Sequence, residues 1–315
     1  MPLNAGIFVK PTPDVGRNLQ IVQELDEAGV DTVWQTNNVL WPDAMSFYAA
    51  AAATTERIRL GTSIMQIYPR HPAALVSQAQ VIESLAPGRL RLGVGTSHRP
   101  RMEKNLGIKM GNKPLTYLRE YVAVLRGLLW DGEIDLHGEF FNVMEAYPEG
   151  TVTPPKTEIS ISALSPKSYR MAGEIADAAI SWMAPIRYLV ETGLTNLREG
   201  ADAAGRETPP LIAHVPVAFT TDRSRAREAA SVDLAYYGAL PFYQQMFEKA
   251  GLPRTDNGRT PAEVLDEVVV SGTPGEIRQR LEATLAEGIG EVLLHPLIVD
   301  DADSERRELV SLITG

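Results

Sequence analysis

The chain has 315 residues, a formal net charge of −10 and no cysteine. The missing cysteines exclude disulfides, thiolate metal sites and thiol nucleophiles, and an acidic chain without a basic run is a poor partner for nucleic acid or anionic membranes. A hydrophobic fraction of 44% supports a sizeable core, while no run approaches the ~18 consecutive apolar residues of a membrane span.

The opening segment, MPLNAGIFVK, has no basic n-region and too short an apolar run for a signal peptide, so a cytoplasmic location is expected. Ala5 to Val9 reads as a strand. From Gly16 to Ala28, residues Leu19, Val22, Leu25 and Ala28 fall on one helical stripe, and Gly29 closes it before a second strand at Asp31 to Thr36. Helices expected at 43–54 and 71–84 precede strands in Glu56 to Ile64 and Gly88 to Thr96. Further strands are expected at Glu158 to Ala163, near 178, at Ile212 to Thr220 and near 291. Eight strands, each followed by a helix, make the count of an α/β (β/α)8 TIM barrel, and a doubly wound sheet is the alternative. The whole chain, 1–315, reads as one barrel domain. Two stretches break the period and read as insertions: about 133–157, with a hairpin around Gly138, and 231–260, rich in aromatics.

The stretch LRLGVGTSHRP, starting at Leu90, fails three familiar tests. The third glycine of a dinucleotide fingerprint would fall at His98, a P-loop lacks its Gly-Lys-Ser/Thr, and a nucleophile elbow would need glycine where Arg99 stands. What remains is position, because the C-terminal ends of barrel strands hold the site. Gly93 and Gly95 permit close approach to the backbone, and Thr96, Ser97 and His98 follow at the strand top. The other tops are also polar and largely neutral: Thr36, Asn37 and Asn38 after strand two, Ser63 to Met65 after strand three, Ala163 to Ser165 after strand five. Only His98 and Lys10 bring charge there. The five histidines lack metal-ligand spacing, so no metal is expected. Such a rim suits a large planar cofactor. Ser165-Pro166 is an N-cap followed by proline at N1, opening a helix whose free N–H groups, with Lys167, suit a phosphate; an ordinary cap with a solvated lysine is the alternative.

Thr55 to Pro100, Arg119 to Leu129, Ser162 to Pro185 and Val270 to Leu294 together resemble the luciferase-like flavin- and deazaflavin-dependent oxidoreductases. RHP after strand three and GTPGEI before the last strand are the more specific motifs, and GVGTSHRP is most similar to the branch that uses coenzyme F420. The resemblance implies a barrel with the cofactor at its C-terminal end, a homodimer, and a non-proline cis peptide at Ser63–Ile64 behind the ring. It implies Ser63, Ile64 and Met65 against the ring, with Thr36 and Asn37 nearby. Gly95, Thr96, Ser97 and His98 would flank ring and tail, and Ala163, Leu164 and Ser165 would receive the phosphate-bearing tail.

One departure bears on chemistry. Several F420-dependent members carry Asp-His where this chain has Asn37-Asn38, and asparagine is no general base near neutrality. Hydride delivery to a small organic substrate, an imine or activated alkene, needs less acid–base help, and His98 is the expected proton source beside Asn38. The alternatives are an FMN-dependent monooxygenase, an aldolase or isomerase built on Lys10, and a non-catalytic cofactor-binding barrel. Tyr236, Tyr237, Phe242, Tyr243 and Phe247 would cover an apolar substrate or pack on the barrel. Trp34, Trp41 and Trp182 would line the pocket or the core.

Overall fold

The computed structural model describes residues 2–255 and 258–315; Asp256 and Asn257 of the second expected insertion lie outside the described residues. Among these, eight parallel strands close a barrel: β1 (Ala5–Phe8), β2 (Thr32–Gln35), β3 (Arg59–Thr62), β4 (Leu90–Gly95), β5 (Glu158–Ser162), β6 (Ala178–Ser181), β7 (Leu211–Ala218) and β8 (Glu291–Pro296). Each strand pairs with the next, and β8 returns to β1 in the register Ala5↔Val292, so the sheet has no open edge. The doubly wound alternative is thereby set aside. Two short strands extend the sheet, Met65–Gln66 against β4 and Val270–Ser271 against β7. Within the first insertion, Glu133–His137 and Asn142–Ala146 form an antiparallel hairpin, its turn held by Glu120, whose carboxylate accepts the N–H groups of residues 139, 140 and 141. No helix among the described residues is long and apolar enough to cross a membrane.

Alternation along the strands sends one set of side chains to the surrounding helices and the other into the barrel. The interior set is unusual at its N-terminal end. Arg91 ion-pairs with Glu158 at 2.9 Å and Glu291 at 2.7 Å, and its guanidinium lies 4.6 Å from the Trp34 ring. Trp34 Nε1 donates to Glu291 at 3.1 Å. The indole is fully buried, and it fits because the facing residues are glycines: a Cβ on Gly61 would come within 2.4 Å of the ring. Above it, Phe8, Ile180, Ile212 and Leu293 form an apolar layer against Ile64 and Trp182. The barrel is therefore filled and plugged at one end, and only its C-terminal mouth is left for chemistry.

The two motifs that carried the resemblance have local jobs. In RHP, His71 Nδ1 accepts the Ala73 N–H at 3.2 Å as N-cap of the helix Pro72–Leu85, Pro72 takes its first turn, and Arg70 pairs with Asp43, itself the N-cap of the helix Ala44–Ala52. In GTPGEI, Thr273 and Glu276 form a capping box with Pro274 at the helix start.

Candidate functional site

The mouth is built from the loops after β1 to β8. Beyond β3 the chain turns through a cis peptide at Ser63–Ile64, where the resemblance implied one. Ile64 O accepts the Asn37 N–H at 3.2 Å, tying this bulge to the end of β2. Ser63 Oγ and Gln66 Oε1 are buried there without a hydrogen-bond partner, while Gln66 Nε2 donates to Ser97 Oγ at 3.2 Å. Buried polar atoms are rarely left unpaired, so these two call for a polar partner, water or ligand, at the bulge. Met65 is buried in its short strand.

Beyond β4, Ser97 adopts φ +59°, the left-handed region uncommon outside glycine. The close approach expected at Gly93 and Gly95 is made by the protein itself. A Cβ on Gly95 would stand 2.2 Å from Ser162 Oγ and 3.1 Å from Ile64 Cδ1, and one on Gly93 would stand 2.1 Å from the Thr62 carbonyl oxygen. Thr96 lies half-buried between them and the rim.

His98, the expected proton source, sits among aromatic rings. Its ring meets Tyr236, Tyr237 and Tyr243 edge-on, with centroids 5.9, 6.0 and 5.8 Å away. Burial in this aromatic cage pushes the imidazole down to about 4. The ring so placed is neutral at pH 7. The same contacts divide the aromatic insertion. Tyr243 and Phe247 are core residues, whereas Tyr236 and Phe242 stay exposed. Trp34 is core, Trp41 is exposed, and Trp182 stands at the mouth.

After β2, Asn37 is buried and its Oδ1 accepts the Ala44 N–H at 3.1 Å, so it fastens a helix start. Asn38 Oδ1 accepts from Arg101 Nη2 at 2.5 Å. Thr36 is half-buried beside them. After β5, Ser165 caps the helix Pro166–Ile175 in a reciprocal box with Ser168. The N–H groups of Leu164 and Ser165 donate to Ser168 Oγ at 3.1 and 2.9 Å, and that of Ser168 to Ser165 Oγ at 3.3 Å. Of the helix N–H groups expected to suit a phosphate, that of Ser168 is thus engaged within the chain. Ala163 is buried, and Leu164 O accepts the Tyr188 hydroxyl at 3.0 Å.

Sequence reasoning missed a polar chain on the opposite wall. His214, inside β7, and His295, in β8, are both buried, with His214 Nε2 3.0 Å from His295 Nδ1. His295 Nε2 lies 3.4 Å from Asp233, which also takes Lys10. Trp182 stacks on His214 at 3.6 Å. The signal was parity: His214 shares the inward set with Ile212, His295 with Leu293, and β7 neighbours β8.

The luciferase-like monooxygenase family profile matches residues 3–291. An uncharacterized protein of Mycobacterium tuberculosis is 32% identical over 214 residues, 64% of this chain and 63% of that protein; the chain thus spans just under two thirds of that relative's length. The F420-dependent glucose-6-phosphate dehydrogenase of Beutenbergia cavernae is 29% identical over 300 residues, 88% of this chain and 86% of that enzyme. Among solved structures, the coenzyme F420-dependent tetrahydromethanopterin reductase from Methanopyrus kandleri superposes with a TM-score of 0.84 at 19% identity, covering 100% of this chain and 99% of its own.

Proposed function

This chain belongs to the luciferase-like monooxygenase family, and within it we propose an oxidoreductase that uses coenzyme F420 to move a hydride to or from a small organic substrate. The observation that carries the reading is the mouth itself. A buried bulge with two unpartnered polar atoms, Ser63 Oγ and Gln66 Oε1, faces a rim of amides and hydroxyls. The named activity of a relative matched over 88% of this chain supports the same cofactor. Such a wall fits a planar, hydrogen-bonding ring system.

The bound deazaflavin would supply a carbon-centred hydride donor or acceptor. Ser63, Ile64 and Met65 would back its ring, with Thr36 and Asn37 bracing the bulge. Gly95, Thr96 and Ser97 would flank it, and Ala163, Leu164 and Ser165 would take the tail. The tail seat requires the Ser165–Ser168 box to yield donors, or to present its hydroxyls instead. His98, neutral in its cage, would shape the pocket and exclude water. A homodimer acting in the cytoplasm on a small molecule completes the proposal; light scattering tests the assembly.

The test is titration of the purified protein with F420 and, separately, FMN, read by quenching of Trp182 and Trp41. Micromolar or tighter F420 binding with weak FMN binding is expected. Preference for FMN would move the chain to the monooxygenase reading, and binding of neither would sink both.

A further inference from the structure

Arg101 and Asn38 meet by a hydrogen bond at the C-terminal end of the barrel. Arg101 opens the short helical turn Arg101–Asn105 after β4 and Asn38 lies in the loop after β2; β3, whose end carries Ser63–Ile64, lies between those strands. An arginine cannot accept a hydrogen bond, so the Asn38 atom 2.5 Å from Arg101 Nη2 must be the amide oxygen. The Asn38 amide nitrogen then has no hydrogen-bond acceptor among the described residues. Among the described residues Arg101 forms no ion pair, although most arginines of this acidic chain do; the nearby Glu103 pairs with Arg99. Its charge is felt by the Tyr236 hydroxyl across the mouth. The other cation of the rim, Lys10, is already neutralised by Asp233.

From this we infer the substrate class. The Arg101–Asn38 pair is a carboxylate-binding site, and the substrate is a monocarboxylic acid with an apolar body. A half-buried guanidinium with a neutral partner attracts an anion, and its remaining planar N–H groups match a carboxylate. One charge is neutralised one for one by a carboxylate, whereas a phosphate dianion would leave an uncompensated charge. A cationic iminium would be repelled. The rim beside the pair is apolar, with Leu40 77% and Trp41 41% exposed, which suits the rest of such a molecule. The inference rests on the oxidoreductase reading only for the word substrate; the anion site stands on geometry.

Calorimetric titration at pH 7.5 tests it with three probes sharing one ring: trans-cinnamate, cinnamyl alcohol and phenyl phosphate. Cinnamate is expected to bind at least about tenfold tighter than the alcohol. Arg101→Gln keeps a donor for Asn38 and should abolish that preference, while Arg101→Lys should keep part of it. Asn38→Asp places a carboxylate on Arg101 and should abolish acid binding with no fall in melting temperature. Equal binding of acid and alcohol, an unaffected Arg101→Gln variant, or no binding of cinnamate overturns the site. Tighter binding of phenyl phosphate overturns the monocarboxylate class. An F420 titration on the same preparation fails or succeeds separately, so the two readings are told apart.

Discussion

His214 Nε2 and His295 Nδ1 stand 3.0 Å apart inside the barrel wall, and the neighbours decide which one carries the proton. The Met183 N–H donates to His214 Nδ1 at 3.2 Å, so the neutral ring holds its hydrogen on Nε2 and gives it to His295. His295 must then carry its own hydrogen on Nε2, facing the Asp233 carboxylate. The chain from Met183 to Asp233 is therefore polar in one direction. Replacing His295 with leucine leaves a buried His214 N–H without an acceptor. The expected loss is about 1–3 kcal/mol, read from chemical denaturation. His295→Gln offers a side-chain acceptor and should recover part of it.

Stability should fall in two acid steps. Burial depresses His98 to about 4 and His214 well below its ordinary value. Between the unfolded pKa near 6.5 and those values the unfolded chain binds more protons, so stability rises with pH there and falls as pH drops. The slope is up to about 1.4 kcal/mol per pH unit per proton. Asp233 is held at about 2, desolvation being outweighed by its bonds from His295 and Lys10. Its contribution is present above about pH 4 and disappears as pH falls towards 2. Melting temperatures from pH 8 to 4 should show the first step, and His98→Asn should flatten it.

Gly61 is a packing requirement of Trp34. A methyl group there would meet the ring at 2.4 Å, so Gly61→Ala should cost about 1–3 kcal/mol by overpacking. Adding Trp34→Phe should recover part of that in the double variant, although Trp34→Phe alone leaves Glu291 without the indole donor. A double-mutant cycle by urea denaturation gives the coupling.

Ser165 and Thr273 are both N-caps in capping boxes. Each change to alanine should cost about 1 kcal/mol. Only Ser165→Ala should also weaken F420 binding if the tail sits at that helix, and Thr273→Ala is the control. Equal F420 affinity in the two variants would remove Ser165 from the site.

Much of this was legible in the chain. Alternating strands and helical stripes give periodicity, and periodicity is a local consequence of pleat and helix pitch, so all eight strands could be placed. Ser165-Pro166 announces a helix start because capping involves residues three apart. What the chain could not show was pairing between distant residues. His98 was expected to be a proton source, and the rings that cage it, Tyr236, Tyr237 and Tyr243, come from an insertion more than a hundred positions away. Gly95 was read as open to a ligand, while Ser162 of the next strand stands over it.

The sequence by itself therefore determined the barrel and the family, because each depends on local pattern and order along the chain. The tertiary structure alone decided the electrostatics. It caged His98 among three tyrosines, paired Lys10 with Asp233, joined His214 to His295 and, among the described residues, set Arg101 against the Asn38 amide. A charge is governed by whatever lies within a few ångströms, and closing the barrel brings together loops that the sequence keeps apart.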